Sequence, residues 1–350
     1  MIKIGPIEIK NPIAVAPMAG ISNAAFRTMV KQQGAGLVVC EMISDQGIHF
    51  RNKKTLEMLH IKDEEWPLSV QIFGGHAESL AEAAHFIETH TKAAIIDINM
   101  GCPVQKVVKT DAGSKALLDP NEVYRRVKAV KEAVHLPVTV KMRTGWDDQH
   151  ILAVENALAA QEAGANMIAM HGRTREQLYT GKANWEIIKE VASHLSVPFY
   201  GNGDIRTPEE ANFALDNYGV DGVMVGRGCL GNPWVIHRMV HYIETGELLP
   251  EKTGVERIQA ALEHLDRLVA LKGERVGVRE FRGMVAYYLK GIPRAAKVKV
   301  ACTQAETKAE ADQLLNDFKA FTASREKEVR PKRLSRAERQ AQKEAEQKNV

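Results

Sequence analysis

Eight short runs rich in apolar and β-branched residues recur through roughly the first 230 positions. They are IAVAPM (13–18), GLVVCEM (36–42), LSVQIFG (68–74), AIIDINM (94–100), PVTVKMR (137–143), NMIAMHG (166–172), VPFYGNG (197–203) and DGVMVGR (221–227). None shows strict apolar–polar alternation throughout, as expected of strands buried on both faces of a parallel sheet. Between them, apolar residues return every three to four positions over 77–90, 120–134, 150–164, 185–195 and 208–219, the period of an amphipathic helix. Asp119 before Pro120 and Thr207 before Pro208 read as helix N-caps followed by proline at the first helical position. Strands alternating with helices in this number predict an α/β chain, a closed (β/α)8 TIM barrel. The rival, an open doubly wound sheet, wants a G-x-G-x-x-G turn after its first strand. That strand ends instead in PMAG.

The pattern changes after the eighth run. Residues 255–272, 278–290 and 305–322 have helical periodicity, and no strand signal lies among them. The expected organisation is a barrel over 1–240, a helical domain over 241–323, and a basic charged tail over 324–350. The tail is nearly free of large apolar residues, so it cannot bury a core of its own. Its composition suits a solvated helix or a disordered arm.

Composition narrows the partners. The 350 residues carry a formal net charge of +3, so any surface for a polyanion must be a local basic patch. Cys40, Cys102, Cys229 and Cys302 are far apart, with no C-x2-C spacing, and no metal site or disulfide framework is expected. The opening MIKIGPIEIKNP has no signal-peptide pattern, and no apolar stretch is long enough to span a bilayer. Free thiols and the lack of these signals point to the cytosol, with no membrane partner and no DNA partner.

Barrels of this kind place their chemistry just beyond the C-terminal ends of the strands. Those positions hold Pro17, Met18 and Ala19, then Glu41, Gln71, Asn99 with Cys102, and Lys141 with Arg143. His171 with Arg173 and Arg175, Asn202 to Asp204, and Gly226 with Arg227 complete the ring. A lone lysine at a strand end is ordinarily a surface residue, but Lys141 follows the buried run VTV, which favours contact with a ligand. A lone histidine is more often a hydrogen-bonded core residue; the run GRTR after His171 favours function. Gln71 is read equally well as an interior polar residue. Cys102 sits in the turn NMGCP directly after the fourth strand, where loops carry function, whereas Cys40 and Cys229 read as structural. The Gly-rich turns after strands seven and eight, GNGDI and VGRG, form the usual phosphate cradle of this fold.

These strings together resemble the tRNA-dihydrouridine synthases, most closely their bacterial B-type branch. The matching segments are APMAGISNAAFR (16–27), EM (41–42), QIFG (71–74), DINMGCPVQKV (97–107), KMRTGW (141–146), HGRTREQLYTGKANW (171–185), GNGDI (201–205) and VGRGCLGNPW (226–234), with REFRGMVAYYLKGIP (279–293) beyond the barrel. The resemblance implies an FMN cofactor. Pro17, Met18 and Ala19 would line its ring, and Gln71, Lys141 and His171 would reach the polar edge. Asn202, Gly203, Asp204, Gly226 and Arg227 would hold the phosphate. It further implies reduction of the C5=C6 bond of a tRNA uridine, with NADPH as electron donor. A hydride would pass from flavin N5 to C6, and Cys102 would give a proton to C5 as general acid. Asn99, Arg173 and Arg175 become contacts to the uracil or its phosphates.

A base inside folded tRNA must flip out to be reached. The helical domain would then grip the RNA through Arg279, Arg282, Lys290, Arg294, Lys297 and Lys299, with Tyr287 and Tyr288 between them. Without the resemblance these residues read equally well as an ordinary solvated basic face. Two alternatives stand beside this reading: an FMN barrel oxidoreductase acting on a free pyrimidine such as dihydroorotate, and an RNA-binding protein that has lost catalysis. The basic helical domain argues against the first, and the presence of Cys102 and Lys141 against the second. The composition gives no oligomeric contact, and a monomer is expected.

Overall fold

The computed structural model of the chain describes residues 2–327. The chain divides into two compact units, Met1–Glu251 and the part from Lys252 onward.

The first unit opens with a hairpin, β1 (Ile2–Ile4) and β2 (Ile7–Ile9). Nine strands follow: β3 (Ile13–Val15), β4 (Leu37–Val39), β5 (Ile43–Ser44), β6 (Leu68–Phe73), β7 (Ile95–Met100), β8 (Val138–Arg143), β9 (Met167–His171), β10 (Phe199–Asn202) and β11 (Gly222–Val225). All pair in parallel, and β11 returns to β3 with Val223 opposite Ile13 and Val225 opposite Val15. β4 pairs directly with β6, so eight strands close the barrel and the short β5 only extends that edge. The run 36–42 was expected as one strand. It breaks after Val39, and Cys40 leaves the ladder with its Sγ accepting the Gln71 N–H at 3.3 Å.

Inward and outward positions alternate along the barrel strands, as the pleat requires. Ile13, Val15, Ile96, Ile98, Val138, Val140, Ile168, Val223 and Val225 pack outward against the helices. Each such fully buried side chain contributes roughly 1.5–3 kcal/mol. Ala14, Leu37, Ile95, Met167, Ala169, Tyr200 and Met224 fill the interior. Ile4 and Ile9 join that inner cluster, so the hairpin plugs the end of the barrel where the strands begin. The five helices expected between the strands form at Ala77–His90, Pro120–Ala133, Ala153–Glu162, Trp185–Ala192 and Pro208–Asn217. Asp119 and Thr207 cap two of them, and Thr207 completes a capping box with Glu210.

A domain boundary at 240 cuts the helix Val235–Thr245. Val235, Ile236 and Met239 pack into the barrel's outer core, and Arg238 bonds the Leu249 carbonyl and the Glu251 carboxylate. These contacts tie the chain to the first unit as far as Glu251.

The second unit is helical: Gly254–Lys272, Glu274–Tyr288, Ala295–Gln304 and Lys308–Lys327. Its core includes Ile258, Leu265, Leu268, Phe281, Val285 and Leu315. The helix Ala295–Gln304 was not expected. Its valines fall at 298 and 300, a two-residue spacing that hides helical periodicity. The last helix takes in positions 324–327 of the expected tail, and positions 328–350 lie outside the described residues.

Candidate active site

The inward side chains of β6, β7 and β8 are polar toward their C-terminal ends, and they bond to one another. Asp97 on β7 is buried, and both its oxygens accept short hydrogen bonds: Oδ1 from the Thr139 hydroxyl at 2.6 Å, Oδ2 from Gln71 Nε2 at 2.6 Å. The Gln71 Oε1 then accepts from Asn99 Nδ2 at 2.8 Å. Asn99 Oδ1 in turn accepts the backbone N–H groups of Gly101 at 3.1 Å and Cys102 at 2.9 Å. A carboxylate can only accept, so it fixes the direction of every bond in this line. Burial raises the Asp97 carboxyl above its usual range, against the opposing pull of Thr139, Gln71 and nearby Lys141.

The line ends on the loop that carries the thiol. The Cys102 carbonyl accepts from the Ser114 N–H at 3.1 Å and its hydroxyl at 2.9 Å. Cys102 is held from both sides and keeps 8% exposure. Burial pushes its thiol above the ordinary range, although the Val104 N–H and the Arg143 guanidinium pull the other way. The group therefore stays protonated through neutral pH, as a proton donor must. Met42 and Phe73 pack beside it.

β8, β9 and β10 bring cationic groups to the mouth. Lys141 Nζ donates to Asn202 Oδ1 at 3.0 Å, and Asn202 Nδ2 is anchored on the Met224 carbonyl at 2.6 Å. Burial, and then Arg143, lowers the Lys141 ammonium to about 8. Arg143 is itself buried, bonding the carbonyls of Gly101, Thr174 and Leu178, and burial lowers it to about 10. Burial drives His171 far below its ordinary range, reinforced by Lys141, Arg143, Arg173 and Arg227. His171 is thus a neutral imidazole whose Nε2 lies 3.3 Å from Arg173 Nη1, the guanidinium being the donor.

The cradle after β10 and β11 has its own supports. Asp204 would be raised by burial, yet the Ala183 N–H at 2.8 Å and the Arg173 guanidinium at 2.8 and 3.0 Å hold it below the usual carboxylate range. Gly203 sits at φ +135°, and a Cβ there would lie 2.5 Å from the Ala183 methyl. A Cβ on Gly228 would lie 2.5 Å from the Ile205 carbonyl oxygen, so the two loops meet backbone to backbone. Gly226 is open by contrast: a Cβ would meet nothing closer than 3.7 Å. Arg227 lies over the exposed Tyr179 ring at 4.5 Å. Beside it a cavity of about 440 Å3 is lined by Arg173, Lys182, Arg206, Arg227 and Tyr179, among others.

The structure therefore gathers Gln71, Asn99 and Cys102 into one bonded line. It joins Lys141 to Asn202 in a second group, and His171, Arg173, Asp204 and Arg227 in a third. Met18 follows β3, its Sδ 4.0 Å from where a Gly226 Cβ would stand; Pro17 is half-buried and Ala19 exposed. Arg173 departs from its expected part. It is 1% exposed and bonds Thr180, Gly181, His171 and Asp204, so it props the rim and does not reach out to a phosphate. The Asp204 carboxylate is likewise taken, by Arg173 and the Ala183 N–H. Arg175 stacks on Trp146 at 4.6 Å, with Lys115 near the same ring at 5.3 Å, and among the described residues its buried Nε has no hydrogen-bond partner.

Cys40 and Cys229 are buried, with thiols pushed up to about 11 and about 12, and Cys229 Sγ donates to the Gly226 carbonyl. In the helical unit Lys290, Arg294 and Lys297 are exposed, while Arg282 Nε is engaged with the Ala305 carbonyl at 2.8 Å. Tyr288 does not stand between the basic residues at the surface. It is fully buried, its hydroxyl 3.1 Å from His264 Nδ1. Sequence reasoning passed over Asp97, Thr139 and Ser114. The first two were visible as inward members of the alternations IIDIN and VTVKM.

A glycine-rich loop pair, a half-buried lysine and a thiol kept protonated, all on the C-terminal rim of a (β/α)8 barrel, define a barrel enzyme. The chain belongs to the dihydrouridine synthase family, whose model matches residues 14–325. It is similar to the tRNA-dihydrouridine synthase B of Shewanella oneidensis, at 43% identity over 287 residues, 82% of this chain and 89% of that one. It is also 42% identical over 308 residues to the tRNA-dihydrouridine synthase B of Pseudomonas syringae pv. tomato, covering 87% and 90% of the two chains. A probable tRNA-dihydrouridine synthase of Rickettsia bellii is 41% identical over 302 residues, 86% of this chain and 92% of its own. Among the described residues no helix is long and apolar enough to cross a membrane.

Proposed function

We propose that this enzyme reduces uridines in tRNA to 5,6-dihydrouridine, with FMN as cofactor and NADPH as electron donor. The residues of the mouth fit FMN on charge and shape. Lys141, Arg143, Arg173 and Arg227 outnumber the carboxylates of Asp97 and Asp204, and such a surplus of partly desolvated cations calls for an anion. Gly203 and Gly226 with Arg227 would hold the phosphate through backbone N–H groups and charge, with Asp204 contributing its backbone. Pro17, Met18 and Ala19 would lie along the ring; Gln71, Lys141 and His171 would meet its polar edge. Bound there, FMN supplies the hydride for C6 of the uracil.

The chain's own residues handle the proton and the position of the base. Cys102 Sγ–H gives its proton to C5 as that carbon gains electron density. Asn99, whose Oδ1 is committed to the Cys102 loop, and half-buried Arg175, whose guanidinium lies over Trp146, are the candidates to meet the uracil or its phosphate. His171 stays neutral and so keeps a further cation from the rim. The helical unit contributes exposed Lys290, Arg294 and Lys297 to the RNA.

The observation that carries this reading is the buried Cys102 thiol, held protonated on the β7 loop and joined through Asn99 to Gln71. The test supplies NADPH with an unmodified tRNA transcript or with free uracil or orotate. Dihydrouridine in the transcript, detected as a two-hydrogen mass increase, is expected. Turnover of the free bases with the transcript untouched would refute it in favour of a small-molecule oxidoreductase.

A further inference from the structure

The helical unit holds a cavity of about 520 Å3 that the chemistry above does not use. It lies among the start of the helix Gly254–Lys272, the turn 291–294, and the last turns of the helix Lys308–Lys327. Its walls include three guanidinium groups, Arg257, Arg294 and Arg325, and one aromatic ring, Phe321. The carboxylate on the wall, Glu326, is committed to the Gly254 N–H at 2.9 Å.

We propose that this cavity receives one nucleotide of the substrate RNA, its phosphate on the arginines and its base against Phe321. The inference rests on the tRNA reading and adds a binding subsite to it. Size is the first argument, since about 520 Å3 exceeds the need of a bare anion and falls in the range of small-molecule sites. The second is the pairing of chemistries. Guanidinium forks match phosphate oxygens bidentately, and an exposed aromatic face stacks any base.

Both parts are held in place. Phe321 is 39% exposed and rests on buried Phe318, the rings 6.3 Å apart and nearly parallel at 15°. The Arg294 guanidinium stands 6.0 Å from the Phe321 centroid, on a backbone held at φ +66°, unusual for a residue other than glycine. Arg257 is fixed on the Lys290 carbonyl. The chain's own continuation does not suit the cavity. Positions 328–350 hold seven Lys and Arg against four Glu, so the segment is cationic like the wall. Exposed Lys290 and Lys297 extend the positive charge beyond the cavity, which favours a polymer over a free nucleotide.

The test measures affinity of the flavin-loaded enzyme for an unmodified tRNA transcript across a salt series. It compares the wild type with Phe321→Ala, Arg294→Ala and Arg294→Lys. Melting temperature, measured first, establishes that each variant is folded. Phe321→Ala should bind about tenfold more weakly with the same salt slope, because stacking is not ionic. Arg294→Ala should bind more weakly, with the slope of log K against log salt reduced by about 0.7–0.9, and Arg294→Lys should restore most of the slope. Folded variants that match the wild type in affinity and slope would overturn the subsite and leave the activity standing. A wild type that binds no tRNA would overturn both. Displacement of the transcript by adenosine or uridine monophosphate at equal concentration would reassign the cavity to a free nucleotide.

Discussion

Replacing Asp97 tests whether the polarity of the Asp97–Gln71–Asn99 line matters, or only its bulk. In Asp97→Leu the Gln71 amide and the Thr139 hydroxyl each lose their buried acceptor. An unsatisfied buried donor costs about 1–3 kcal/mol, so the pair costs roughly 2–6 kcal/mol. The leucine recovers part of this by apolar burial, leaving a net loss of about 2–3 kcal/mol. For a unit of this size that is a fall of roughly 4–12 °C in melting temperature. Asp97→Asn has an escape. Its carbonyl can face Gln71 while its amide donates to Thr139, whose hydroxyl then turns to accept. Gln71 keeps its acceptor and only the Thr139 O–H must give one up, so the loss should be roughly half that of the leucine variant. The Gln71 amide keeps its direction in the Asn variant and loses its orienting acceptor in the Leu variant, which slackens its hold on Asn99 and, through Asn99, on the Cys102 loop. Thermal unfolding gives the first comparison. Iodoacetamide labelling, mapped to Cys102 by mass spectrometry, gives the second, with several-fold faster labelling expected in Asp97→Leu. A leucine variant that melts and labels like the wild type would refute the argument, and an asparagine variant as damaged as leucine would show that charge, not direction, is what counts.

Cys102→Ala should retain flavin and tRNA and lose about 10^2–10^4 in dihydrouridine formation, the usual worth of a general acid, and undiminished turnover would remove the proton-donor role. The active form is the protonated thiol, which prevails below its pKa, and burial raises that pKa. Single-turnover reduction of tRNA by the reduced enzyme should therefore hold through the pH at which an ordinary cysteine of about 8.5 has begun to ionise, and fall only above it. A decline beginning near pH 7 would contradict the assignment. Gly203→Ala places a methyl 2.5 Å from that of Ala183 at a φ hostile to L residues, so flavin occupancy after purification should drop sharply, and full occupancy would show that the cradle does not need that backbone path. Lys141→Met keeps the buried stem and removes the charge; the flavin dissociation constant should rise by at least tenfold, as read by flavin fluorescence on dilution.

The barrel was legible because its outer layer repeats one physical requirement eight times. Ile72, Ile96, Val138 and Ile168 must each be covered by a helix, and each appears in an apolar run followed by a helical period. The cradle was legible because glycine at 203 and 228 leaves a mark in the sequence wherever backbones must touch. What escaped was the inner layer as a connected set: Gln71, Asn99 and Lys141 stood out one by one, Asp97 and Thr139 not at all. LSVQIF, IIDINM and VTVKMR were read as near-continuous apolar strands, yet Ser69, Gln71, Asp97, Asn99, Thr139 and Lys141 form an alternating inward set. Two inward polar positions out of six look like noise in one strand and become a pattern only when neighbouring strands are aligned in register, with Asp97 beside Gln71 and Thr139. The burial of Arg173 and Tyr288 had no local sign. A guanidinium bonded to four backbone and side-chain partners and one exposed to solvent are written with the same letter.

The small hairpin that stoppers the barrel constrains the order of events at its other end. With Ile4 and Ile9 wedged among Ala14, Ile95 and Met224, nothing can thread through from below. On the function proposed above, a nicotinamide and an extruded pyrimidine would have to come and go by one doorway. They would take turns at it, and the electrons would have to be stored between one visitor's departure and the next one's arrival.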